Sequence, residues 1–129
     1  MLLPAIIANI SLHPYQYTYY NTFIGGTGNA FRQYEIDYWL TCYREAVLEF
    51  NEKAPQGSQL FVKREPYITA YYASPKITIR DYRSEFKDIE SGDFILVNTR
   101  ANDDKQTFQN ASIFLEMWRG RRDSNPRPV

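Results

Sequence analysis

With 129 residues, 43% of them hydrophobic, the chain has apolar content for one folded domain and too little length for two independent cores. Fifteen Lys and Arg balance fifteen Asp and Glu, so bulk charge gives no reason to expect a nucleic acid partner. Cys42 is the sole cysteine, which excludes an intrachain disulfide and leaves the redox compartment open.

The chain starts MLLPAIIANI, apolar but too short for a membrane-spanning helix, which needs about 20 residues. It lacks the basic flank of a signal peptide. The expectation is a buried terminal strand, or the end of something longer. Residues 13–23, HPYQYTYYNTF, place Tyr15, Tyr17 and Tyr19 on one side if extended. Such a cluster serves either as a stacking platform for sugars or bases, or as packing at the end of a core or at a membrane interface. His13 has no second metal ligand at a recognisable spacing.

Gly25, Gly26 and Gly28 in IGGTGNAF predict a tight connection that lets Phe31 and Tyr34 dock. The order is not G-x-G-x-x-G and no lysine follows, so phosphate binding is not indicated. Glu35 and Asp37 are the nearest approach to a carboxylate pair, but Asp37 has a capping task in view.

From Asp37 the spacing predicts the organising helix. Leu40, Tyr43, Val47 and Phe50 form its apolar stripe, widened by Trp39 and Ala46, with Arg44, Glu45, Glu49 and Glu52 on the wet side. Asp37 is the expected N-cap, and Cys42 is expected to be a packed thiol near the buried face. Trp39 is expected to be a packed anchor between the aromatic approach and the body of the domain. Ala54-Pro55-Gln56-Gly57 ends the helix.

Beyond it, residues 59–64 read as a strand, and 67–73 as a short helix packing Ile68, Tyr71 and Tyr72 or, nearly as well, as another strand. Residues 76–80 alternate as a strand with Ile77 and Ile79 inward, and 82–90 carry Tyr82, Phe86 and Ile89 at helical spacing. DFILVNTR, residues 93–100, has the apolar run of a central strand. Asn102-Asp103-Asp104 predicts a polar turn, and residues 105–118 a final helix. The order implies an α/β fold: a small parallel or mixed sheet of three to four strands flanked by helices, the fourth strand coming from the N-terminal approach. Residues 1–118 are expected to form a single domain with an aromatic-rich approach over 1–33. RGRRDSNPRPV, residues 119–129, has no apolar periodicity and predicts a basic, disordered tail.

HPYQYTYYN at 13–21, IGG at 24–26, YEIDYW at 34–39, YREA at 43–46 and DFILVNTR at 93–100 occur in an order that resembles the C-terminal region of polyprenyl-phosphate-dependent membrane glycosyltransferases. These are the relatives of the protein mannosyltransferases and of the lipid A aminoarabinose transferase. The resemblance covers roughly residues 10–100 and includes Tyr15, Tyr17, Tyr38 and Trp39. It implies a truncated or detached extracytoplasmic domain, with Met1–Ile10 matching the exit of the last membrane helix. Partners implied are the membrane portion of such an enzyme or a membrane interface, and in the parent enzyme a polyprenyl-phosphate sugar or another carbohydrate. The catalytic loop of that family has no counterpart here, and GRRDSNPRP stands where relatives continue into another strand.

No catalytic, cofactor-binding or metal-binding residues are assigned from sequence, and no nucleic acid is expected. The competing class is an independent α/β module binding carbohydrate, peptide or protein through its tyrosine-rich end. A free-standing enzyme is a third, lacking a nucleophile–base pair, metal cluster or cofactor loop.

Overall fold

The computed structural model describes residues 3–11, 13, 16, 19–30, 33–35, 38–107, 112 and 114. The chain divides into two compact units, one of them Trp39–Glu116 and the other including Met1–Tyr38.

The α/β unit is built around a three-stranded, wholly parallel sheet in the order β2-β1-β3. Strand β1 (Gln59–Val62) is central, flanked by β2 (Thr78–Asp81) and β3 (Phe94–Leu96). Leu60 pairs with Ile79 on one side and Phe94 on the other, and Val62 with Asp81 and Leu96. Among the described strands only β1 has partners on both edges, which explains why Leu60, Phe61 and Val62 are all buried.

Helix α3 (Cys42–Lys53) covers one face, together with α4 (Pro66–Tyr72). Leu40, Tyr43, Phe50, Ala54, Leu60, Val62 and Ile77 form the core there, with Cys42, Ile68, Ile79, Phe94 and Leu96 packed against it. Phe50 meets Phe94 edge-on, with ring centroids 4.9 Å apart. Of the expected stripe, Tyr43, Ala46, Val47 and Phe50 are buried on α3 and Leu40 is buried just before it, whereas Trp39 is exposed.

Phe61 points to the opposite face, as alternation requires. The Arg80 guanidinium lies 5.5 Å from its ring centroid. Arg80 in turn donates to Glu85 of α5 (Tyr82–Glu85), and at 3.2 Å each to Asp88 in the following 3-10 turn and to Gln59. The α5 segment is thus held over this face by charge as well as by packing.

Several expectations need correction. Helix α3 starts at Cys42 with Thr41 as N-cap, because Leu40 sits in the left-handed region at φ 57 and interrupts helical geometry there. Asp37 is therefore not the cap of this helix; it lies outside the described residues. DFILVNTR supplies an edge strand of three half-buried residues rather than the centre. An apolar run reports burial, and an edge strand covered on both faces satisfies it as well as a central one. Asp103 is no turn residue: it begins α6 (Asp103–Thr107) and is buried. Of the helix expected over 105–118, the described part ends at Thr107.

In the other unit, Leu3–Ser11 form helix α1, where a buried strand was one expectation. Its large apolar residues recur at 3, 6, 7 and 10, a helical spacing. A 3-10 turn at Thr22–Ile24 leads into the short helix α2 (Gly26–Ala30). Asn21 Oδ1 caps that turn, accepting from the N–H groups of Phe23 at 3.1 Å and Ile24 at 3.4 Å. The Tyr20 hydroxyl donates to the Glu35 carbonyl at 2.9 Å, and its ring lies 5.6 Å from that of Tyr34. Among the described residues no strand from this unit joins the sheet.

Candidate functional site

All three parallel strands end on one edge, which is where open α/β sheets present their loops. Lys63 and Arg64 leave β1 there, before the chain turns through a left-handed Glu65 (φ 46) into α4. The Lys63 N–H donates to the Leu96 carbonyl at 3.0 Å, so β1 and β3 stay joined to their ends. Arg64 Nε donates to Asp103 Oδ2 at 2.9 Å, and Nη2 donates to the same oxygen. Lys63 Nζ lies 3.7 Å from Asp103 Oδ1 and donates to Thr107 Oγ1 at 2.6 Å. Thr107 closes the loop by donating to the Asp103 carbonyl. The Tyr82 ring centroid is 5.7 Å from Lys63 Nζ.

This cluster fastens α6 to the end of β1. Asp103 is 8% exposed, and two cations beside it offset the cost of burying its charge. Both cations lie against this one carboxylate, which leaves the cluster one net positive charge. Asn98, two residues past β3, is buried with neither side-chain polar atom hydrogen-bonded. Its carboxamide offers a donor and an acceptor at this edge.

At the end of β2, Asp81 caps α5: its Oδ1 accepts from the Arg83 N–H at 2.9 Å and from Arg83 Nε at 3.3 Å. Side-chain and backbone hydrogen bonds from Arg83 hold the Asp81 carboxyl below its ordinary pKa. Contact with Asp81 correspondingly raises that of Arg83. These are ion pairs at a helix start, where the Ser84 hydroxyl also donates to the Asp81 carbonyl at 3.4 Å.

The residues singled out in the sequence do not converge. Tyr15, Tyr17 and Asp37 lie outside the described residues. Tyr38 is half exposed, and Trp39 is 73% exposed, so Trp39 is not the packed anchor expected of it. The reason is local: the left-handed Leu40 starts the buried stripe one residue later, and Leu40 takes the core position instead. Cys42 is half-buried against the core cluster, short of the full burial expected. Gly25 and Gly26 have φ of 82 and 70, values that favour glycine, and a Cβ on Gly25 would overlap the Asn29 side chain. Gly28 lies within α2. His13 Nδ1 is 2.8 Å from Gln16 Nε2, and no group of three or more His, Cys, Asp or Glu among the described residues is placed to hold a metal.

Two features escaped the sequence reading. Tyr67 and Tyr71 share an exposed face of α4, Tyr71 at 83%, whereas Tyr71 was expected to pack. Their spacing of four was the available signal. Asp103 was hidden by its neighbours, since Asn-Asp-Asp reads as turn chemistry until its partners on β1 are known.

No family model, no curated protein and no solved structure matches this chain.

Proposed function

We propose that the chain is a non-catalytic α/β domain related to the C-terminal region of polyprenyl-phosphate-dependent membrane glycosyltransferases, working on the extracytoplasmic side of a membrane. The observation that carries this reading is the ordered set of motifs from HPYQYTYYN to DFILVNTR. Two structural features support it. After the first long helix the chain builds a small parallel sheet flanked by helices, the α/β arrangement expected of a soluble domain. The acidic groups at the carboxyl edge, Asp81 and Asp103, are engaged by Arg83 and Arg64 in ion pairs. The partner is then the membrane portion of such an enzyme, whose donor is a polyprenyl-phosphate sugar.

The test is an assay of the purified chain with polyprenyl-phosphate sugars, a divalent metal and acceptor lipids or peptides. Background counts are expected, and turnover that follows the protein through purification overturns the non-catalytic assignment. In source cells, a protease that cannot cross membranes should reach the chain from outside. Protection from it would remove the extracytoplasmic placement.

A second reading has an observation in its favour. The exposure of Trp39, with that of Tyr67 and Tyr71, suits stacking on a carbohydrate. Under this reading the chain is an independent binding module. Trp39→Ala and Tyr71→Ala would then leave the unfolding midpoint in place while abolishing retention on immobilised glycans; parent-like retention by both variants would dismiss it.

A further inference from the structure

Helix α1 inverts the usual pattern of an amphipathic helix. Leu3, Ile6, Ile7 and Ile10 lie on one face at i, i+3, i+4 and i+7, and all four are exposed, by 52% to 72%. Its two polar side chains are spent on the helix itself. Asn9 Nδ2 donates to the Ala5 carbonyl at 3.0 Å, and Ser11 Oγ to the Ala8 carbonyl at 2.9 Å. Internal satisfaction of this kind suits a poorly hydrated setting. From Met1 to Phe31 the chain contains no Asp, Glu, Lys or Arg. Phe23 is 93% exposed in the same unit, with Tyr19 and Ile24 also exposed.

These observations choose between occupants. A second copy fits poorly: nine residues rise only about 14 Å, and one such stripe falls far short of the roughly 1,200 Å² that a stable interface buries. Toward a soluble protein this run offers polar groups at Asn9, Ser11, His13 and Gln16 but no charge to steer or fix the partner. A lipid surface asks for what is present: apolar side chains for the acyl boundary, and tyrosines for the headgroup level. Among the described residues no helix is long and apolar enough to cross a membrane.

We propose that α1 seats on a neutral bilayer surface through Leu3, Ile6, Ile7 and Ile10, with affinity independent of anionic headgroups. This deepens the membrane placement proposed above and names its contact, but it does not need the glycosyltransferase relation.

The experiment is flotation of the full chain with phosphatidylcholine vesicles, with and without added phosphatidylglycerol, at low and high salt. Binding to phosphatidylcholine alone is expected, changing less than twofold with salt or with anionic lipid. Ile7→Asn with Ile10→Asn should reduce the bound fraction at least tenfold, and Ile10→Ala by a smaller factor. Both should keep the parent's circular dichroism and unfolding midpoint, because these side chains are exposed. Phe86→Ser, at an exposed apolar position on the α/β unit, should float like the parent. Failure to bind phosphatidylcholine overturns the proposal, as does binding that needs phosphatidylglycerol and vanishes in salt, which would implicate the basic residues after Trp118. Undiminished binding by the double asparagine variant overturns it too. So does a concentration-dependent dimer in sedimentation that this variant abolishes, since the stripe would then face a second copy. None of these results bears on sugar transfer, so the two proposals fail separately.

Discussion

Arg64 reaches Asp103 across 39 positions of chain, with Nε donating to Oδ2 at 2.9 Å. The pair ties the end of the central strand to a helix that begins only after the last strand is complete. Arg64→Ala leaves Asp103 buried with Lys63 as its nearest remaining cation, at 3.7 Å. The expected loss is about 2–3 kcal/mol, below that of a fully buried pair because the Arg64 side chain is a third exposed. Urea denaturation reads this as a lower midpoint with an unchanged slope. If Asp103→Asn in the Arg64→Ala background costs as much as it does in the parent, the two residues are not coupled.

Phe50 and Trp39 should separate cleanly in the same experiment. Phe50 is buried at the meeting of α3 and β3, so Phe50→Ala should cost roughly 3–5 kcal/mol. Trp39→Ala, removing a mostly exposed ring, should cost less than about 1 kcal/mol. Equal costs would show that Trp39 packs in solution after all.

Half-burial of Cys42 sets its reactivity. A small thiol reagent should label it stoichiometrically in the native fold, more slowly than a free thiol, with a clear acceleration in denaturant. Complete protection until unfolding would contradict the exposure found here.

The Asp81 carboxyl is lowered by its bonds from Arg83, so its contribution to stability is complete above the unfolded-state value near 3.8. As pH falls through the lower folded-state value, that contribution is lost. Screening at this surface keeps the effect small. The unfolding midpoint of the parent should therefore drop more between pH 5 and pH 2.5 than that of Asp81→Asn. Asp81→Ala, which removes the cap, should cost about 0.5–2 kcal/mol at pH 7. Parallel acid profiles for the parent and Asp81→Asn would show that Asp81 carries no proton linkage.

The α/β class, the strand-helix alternation and the buried stripe of α3 were readable because each rests on spacing within one element. Tyr43, Val47 and Phe50 needed only the 3.6-residue period to be placed. What the spacing could not carry was anything fixed by a backbone turn or by a distant partner. Leu40 at φ 57 is a residue type that rarely adopts that conformation, so neither the start of α3 nor the exposure of Trp39 was visible. Asp103 is buried because Arg64 and Lys63 arrive from another strand. The place of β3 at the edge depends on which strands pair, and no local pattern records that.

The all-parallel sheet also governs how the molecule must assemble. No two neighbouring strands are joined by a hairpin: β1 reaches β2 only through α4, and β3 follows only after α5 and its 3-10 turn. Each pairing therefore waits for a long loop to close, and the entropy of closure is met before any ladder bond repays it. Until β3 arrives, one edge of β1 stays bare, with Leu60, Phe61 and Val62 open to another chain. A nascent or refolding molecule is most vulnerable to association at that moment, and high protein concentration should lower its refolding yield far more than it lowers its final stability.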